Sequence, residues 1–179
     1  KEIVKFDFMN KKFVLITAHR RENFGKGLNA ICDSILNLSI SNPQVHFVFS
    51  LHLNPNVRNL IISKLNNIRN IHLIEPLSYE LFIILLRQCY LVLTDSGGLQ
   101  EEAPSLGKPV LVMRKNTERP EAIEAGTVNL VGIKKEIIEK NVNDLIGNKE
   151  LYNKMSEAHN PYGDGKACGR IVEKLLSNN

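Results

Sequence analysis

The sequence predicts an α/β domain built on a doubly wound, mostly parallel sheet, and three observations predict it. Up to Gly132, short apolar runs alternate with longer amphipathic ones, which is the pattern of successive βαβ crossovers. The 179 residues suffice for one such domain with a sizeable core. Hydrophobic residues make up 43% and charged residues 23%, a globular composition.

Each element follows in order. Strand character falls on 13–17, 45–49, 71–74, 90–93, 109–113 and 128–131, all short runs rich in Val, Ile, Leu and Phe. Between them, 28–38, 57–65, 79–88, 99–106 and 120–125 read as helices or helical turns; Ile31, Ile35 and Leu38 recur at helical spacing. After Gly132 only helical patterns remain, at 134–146, 149–158 and 166–176, and these read as terminal surface helices. The turn-rich loop His159-Asn160-Pro161-Tyr162-Gly163-Asp164-Gly165 interrupts them.

Composition narrows the partners. The formal net charge is +4, and the lysines are spread along the chain, so a nucleic-acid partner gains no support. Cys32, Cys89 and Cys168 are far apart, which argues against a zinc site and a disulfide framework and fits a reducing, cytoplasmic setting. Cys32 and Cys89 lie in apolar helical patterns and read as core. No apolar run has membrane-spanning length, and no signal peptide opens the chain. The chain opens on Lys1 rather than Met and is expected to be a fragment of a longer protein.

In open α/β sheets, ligands bind beyond the carboxyl ends of the strands, so the loops there should carry the chemistry. Four are unusual: 18–25, with His19, Arg20 and Arg21; 50–56, with His52; Asp95-Ser96-Gly97-Gly98; and 114–120, with Glu118 and Arg119. The glycine pair at a strand-to-helix junction would let an anion reach free backbone N–H groups at the positive end of a helix. An ordinary turn with Ser96 or Asp95 as N-cap fits the same residues. Glu101 and Glu102 are about 100° apart around a helix, so at most one faces the glycines. One arginine of the Arg20-Arg21 pair could instead bind Glu22 or Glu118.

Other assignments find less support. His19 and His52 lack a third metal ligand at a telling spacing. Ser96 lacks a Gly-x-Ser-x-Gly elbow, and no Lys-Ser/Thr completes a Walker loop. His46 and His72 read as strand residues, and His159 carries no motif.

The motifs taken together resemble a known family. Thr17-Ala18-His19-Arg20-Arg21-Glu22-Asn23, His52-Leu53-Asn54-Pro55-Asn56, the run 95–109 beginning Asp95-Ser96-Gly97-Gly98-Leu99-Gln100-Glu101-Glu102, Thr117-Glu118-Arg119-Pro120-Glu121 and Asn160-Pro161-Tyr162-Gly163-Asp164-Gly165 occur in this order. The chain resembles, over nearly its whole length, the carboxyl-terminal domain of bacterial non-hydrolysing UDP-N-acetylglucosamine 2-epimerases.

The resemblance implies a Rossmann-like half of a two-domain GT-B fold, residues 1–179, completed by an amino-terminal domain. It implies interconversion of UDP-GlcNAc and UDP-ManNAc through UDP elimination to 2-acetamidoglucal and re-addition, with the isolated half inactive. No metal or redox cofactor is implied, and a homodimer is. By position, Ser96, Gly97 and Gly98 match the diphosphate site, Glu102 the ribose contact, Phe82 the uracil neighbour and His19 a catalytic residue. Arg20, Arg21 and His52 match a substrate or regulatory region, and Arg119 an orienting role in the cleft. The alternatives are a GT-B glycosyltransferase domain using a UDP-sugar donor, or a hydrolysing epimerase that releases ManNAc.

Overall fold

The computed structural model describes residues 11–177. In chain order the elements are β1 (Phe13–Thr17), a 3-10 turn (Arg21–Asn23), α1 (Lys26–Ser41), β2 (His46–Ser50), α2 (Pro55–Leu65), β3 (Ile71–Ile74) and α3 (Tyr79–Gln88). There follow β4 (Leu91–Thr94), α4 (Leu99–Ser105), β5 (Val110–Val112), α5 (Pro120–Glu124), β6 (Val128–Leu130), α6 (Lys135–Gly147), α7 (Lys149–Ser156) and α8 (Ala167–Ser177). The strands form one parallel sheet in the order β3-β2-β1-β4-β5-β6. This is the doubly wound order, whose direction reverses between β1 and β4.

Strand alternation splits the core in two. Val14 and Ile16 of β1 point to the layer formed with α1, α2 and α6, while Phe13 and Leu15 point to the layer formed with α3, α4 and α5. Both faces are covered, so β1 and β4 are buried almost throughout and read as continuous apolar runs. Cys32 and Cys89 are core residues, as expected. At the carboxyl ends Thr17 sits level with Ser50 on one side and Thr94 on the other, so the following loops rise from one edge.

β1, β3 and α3 keep the expected bounds, and the other elements differ from the sequence expectation by one to three residues. α1 runs on through Ser41 because Ser39 and Ser41 turn their hydroxyls back onto the carbonyls of Leu36 and Asn37 instead of breaking the helix. The terminal helices differ among themselves. α6 is more than a surface helix, since it buries Ile138, Val142 and Leu145 against α1. Tyr152 of α7 stacks on Tyr90 at 4.1 Å between centroids, its hydroxyl donating to the Tyr90 carbonyl. Only α8 buries nothing among the described residues. No described helix is long and apolar enough to cross a membrane.

Candidate functional site

The reversal point between β1 and β4 opens into a cavity of about 390 Å3. The loop after β1 contributes Ala18 and His19, the loop after β2 contributes Leu51, His52 and Leu53, and Phe82 and Tyr79 come from α3. Ser96, Gly98 and Glu102 complete it from the β4–α4 junction. The wall is mostly apolar with a few convergent polar groups, the make-up of a small-molecule site.

The β4–α4 junction is organised by hydroxyls. Thr17 Oγ1 and Thr94 Oγ1 are 2.6 Å apart, and Thr94 Oγ1 accepts from the Ser96 N–H at 2.9 Å. Gln100 holds the other side of the turn, donating to the Ser96 carbonyl at 3.1 Å, and its own carbonyl accepts from Thr117. The N-cap of α4 is Gly98, without a side-chain cap, so the expected capping by Ser96 or Asp95 does not occur. Asp95 instead turns back beneath β1, because the crossing loop offers it three N–H groups. The amides of Gly97, Gly98 and Leu99 have no hydrogen-bond partner among the described residues, as befits a helix start.

Positive charge gathers over Gly97. A Cβ placed there would lie 3.4 Å from Arg20 Nη2 and 4.0 Å from Arg119 Nη2, so both guanidinium groups flank bare backbone. A Cβ at Gly98 would meet nothing within 4 Å, which leaves that amide open on its outer side. Arg119 is tethered through Nε to Glu101, and its backbone N–H donates to Thr117 Oγ1. The two glutamates of α4 therefore divide as geometry requires. Glu101 takes the arginine and Glu102 faces the pocket, where burial and then the neighbouring Glu101 raise its pKa.

His19 is the most heavily surrounded member. Its backbone N–H donates to both oxygens of the buried Asp95, at 3.1 and 3.0 Å, and its Nδ1 lies 3.3 Å from Asp95 Oδ1. His52 stacks on it, with centroids 5.3 Å apart and planes at 11°. Burial lowers the His19 pKa; Asp95 opposes the shift, while His52 and Arg20 add to it. His52 Nδ1 accepts from the Asn54 N–H at 3.1 Å.

Not every expected residue enters the pocket. Arg21 is exposed and is not part of the pocket wall, while Arg20 and Arg119 lie at its Gly97 rim. Neither Arg20 nor Arg21 takes the acids anticipated for them. Arg114 binds Glu22 through Nε at 3.0 Å and Glu118 through a two-point fork at 2.6 and 2.9 Å. That fork draws the Glu118 carboxyl down to about 2 and raises the Arg114 pKa. Phe82 is half-buried against the second core layer and also lines the pocket. Sequence reasoning missed Asp95 as an anchor, Asn23, Arg114 and the Gln100–Thr117 contact. Asn23, Asp95, Gln100 and Thr117 stood in the motifs and Arg114 in the loop 114–120, but nothing in the sequence showed which of them would meet.

Fold and site together define a Rossmann-like domain that takes its ligand at the reversal point of a parallel sheet. A family model for UDP-N-acetylglucosamine 2-epimerase matches residues 1–176, and the chain belongs to that family. It is 55% identical over 167 residues to a UDP-N-acetylglucosamine 2-epimerase of Campylobacter jejuni, covering 93% of this chain and 44% of that protein. It is 51% identical over 169 residues to the enzyme of that name from Escherichia coli K12, covering 94% and 45%. Among solved structures, UDP-GlcNAc 2-epimerase from Neisseria meningitidis bound to UDP-GlcNAc superposes with a TM-score of 0.88 at 54% identity, covering 94% of this chain and 45% of that one. A co-structure of S. aureus MnaA with UDP gives a TM-score of 0.89 at 46% identity, covering 94% of this chain and 46% of that one. The glycosyltransferase WaaG, at 0.67 and 16% identity, shares the fold, covering 93% and 46%. The chain thus spans less than half the length of these relatives.

Proposed function

We propose that this chain is the carboxyl-terminal, UDP-holding domain of an epimerase that interconverts UDP-GlcNAc and UDP-ManNAc. One observation carries the reading. The loops after β1, β2 and β4, with α3 and α4, bring Ser96, Gly98, Glu102, Phe82, His19 and His52 around one cavity of about 390 Å3, with Arg20 and Arg119 over Gly97 at its rim.

The diphosphate rests on the amides of Gly97, Gly98 and Leu99 and on the Ser96 hydroxyl. Glu102 accepts from the ribose hydroxyls, and Phe82 lies beside the uracil. Eliminating UDP from the sugar leaves 2-acetamidoglucal and builds negative charge on the departing β-phosphate. Preorganised N–H and guanidinium donors stabilise such charge best, and losing one typically costs about 10²- to 10³-fold in turnover. The C2 proton leaves in the same elimination; UDP then returns to C1, and a proton delivered to the opposite face of C2 inverts that centre. His19, beside the phosphates, moves or holds a proton in these steps. Arg20 at the rim and His52 in the wall meet substrate or a second, regulatory nucleotide sugar, with Arg21 further out on the exposed side of the same loop. A second domain closes the other side of the cleft, the assembled enzyme is a homodimer, and it works in the cytoplasm.

Calorimetric titration with UDP, with ADP as control, tests the nucleotide assignment. Selective UDP binding that Glu102→Ala weakens at least tenfold is the expected result. If UDP fails to bind both this chain and the full-length protein at millimolar concentration, the assignment is wrong. Binding only to the full-length protein shows that the second domain completes the site. In the full-length protein, solvent deuterium should enter the sugar at C2. UDP turnover without that exchange would point to glycosyl transfer, and steady accumulation of free ManNAc to a hydrolysing enzyme.

A further inference from the structure

Asp95 is fully buried and stands behind the pocket rather than on its wall. A buried carboxylate is costly unless hydrogen-bond donors fill its lone pairs. Its Oδ2 is well supplied, by the N–H of His19 at 3.0 Å, the N–H of Arg20 at 2.8 Å and Asn23 Nδ2 at 3.0 Å. Asn23 is itself fixed, since the same amide nitrogen donates to the Met113 carbonyl at 3.2 Å. Among the described residues, Oδ1 has a second contact to the His19 N–H, at 3.1 Å, and lies 3.3 Å from His19 Nδ1, at ion-pair distance rather than in an aligned hydrogen bond. At that distance a lone pair on Nδ1 would be repelled by the carboxylate charge, whereas a proton there would be drawn to it.

We infer that Asp95 is a positioning residue that fixes His19 with its proton on Nδ1, leaving Nε2 as the one ring atom that exchanges a proton with the pocket. The step to catalysis rests on the reading of this cavity as the UDP site. His52, stacked on one face of the ring, and Arg20, beside it, are the other groups that act on His19. Both oppose a second positive charge, so Asp95 is the counterweight that keeps proton uptake at Nε2 within reach. The arrangement repeats the logic of a Ser–His–Asp triad, in which the buried carboxylate sets tautomer and orientation without being protonated.

The tautomer can be read directly. Nitrogen-15 spectra of histidine-labelled chain at about pH 8, above the ordinary imidazole range, should show His19 protonated at Nδ1, with His19→Gln assigning the signal. Asp95→Asn should move that proton to Nε2, because its single oxygen is needed by the backbone amides and its NH2 then faces the ring. An Nε2–H form in the unmodified chain overturns the inference, as does an Nδ1–H form unchanged in Asp95→Asn. Should that variant not fold, the spectrum of the unmodified chain decides by the same criterion. In the full-length enzyme, Asp95→Asn should cut turnover by about 10⁴-fold, as the matching change does in a triad, with KM little altered. The tautomer is measured without ligand. A chain that shows Nδ1–H, when neither it nor the full-length protein binds UDP, therefore breaks the reading of the pocket and leaves the dyad standing.

Discussion

The sheet holds two histidine pairs, one at each end of its strands, and their surroundings differ more than their geometry. At the carboxyl ends, His19 and His52 lie parallel in an open pocket, over a buried carboxylate and beside Arg20. Toward the amino ends, His46 Nδ1 and His72 Nε2 are 2.9 Å apart, with rings tilted at 37°. Burial pushes His72 down to about 4, with His46 and Lys11 adding to the effect. His46 is lowered by burial, then by Lys11 and Arg69. Among the described residues, the charged groups that lower the amino-end pair are the cations Lys11 and Arg69, whereas Asp95 pulls His19 the other way. Burial and neighbouring cations thus hold the amino-end pair toward the neutral form, while at the carboxyl end a buried carboxylate supports the proton that the proposed mechanism asks His19 to carry.

The largest expected effect breaks the pairs apart by function. In the full-length enzyme, His19→Gln should lower C2 deuterium exchange by about 10²- to 10⁴-fold, the usual contribution of a positioned acid or base. His72→Gln should leave exchange within a few-fold. Equal losses from the two variants would show that the carboxyl-end pair has no special role.

A smaller effect, on stability, separates them in the opposite sense. His72 has a folded-state pKa of about 4 against about 6.5 for an unfolded imidazole. Between those values the unfolded chain binds the proton and the folded chain does not. Stability from this group is therefore present above about pH 6.5, falls as pH drops toward 4, and changes no further below. His46 acts in the same direction. After allowance for partial exposure, the loss attributable to His72 should be about 1–2 kcal/mol. Urea unfolding at pH 7 and pH 4.5 should show it, and His72→Gln should flatten the dependence. An unchanged pH slope in that variant would assign the acid sensitivity elsewhere.

The two ends were also unequally legible in the sequence. The fold was readable because strand and helix periodicities are local, and β1 with its alternation of Val14 and Ile16 against Phe13 and Leu15 shows why. The loops after β1, β2 and β4 were readable as a site because parallel strands place their carboxyl ends on one edge. What stayed hidden depends on contacts across long stretches of chain. Asp95 looks like a cap until the loop after β1, more than 70 residues earlier, crosses over it. Arg114 binds Glu22 from 92 positions away. The His46–His72 pairing follows only from the register of β2 on β3, which no single strand encodes.

The smallest effect sharpens the carboxyl-end picture by asking what Arg119 does there. Its ion pair with Glu101 is partly exposed, with side chains 31% and 39% accessible. Such pairs contribute about 0.2–1 kcal/mol to stability. Glu101→Gln and Arg119→Ala should each therefore shift urea unfolding by no more than that. Their effects on UDP binding should differ. Arg119 Nη2 lies close to the bare backbone at Gly97, so its removal deletes a charge-assisted contact, about tenfold in affinity. Glu101→Gln keeps the cation and frees it from its acid, so affinity should change by less than about threefold. Calorimetry on both variants checks the pair. Equal losses would mean that the tether, rather than the charge, sets the geometry over Gly97; no loss in Arg119→Ala would leave Arg20 as the cation that faces the diphosphate.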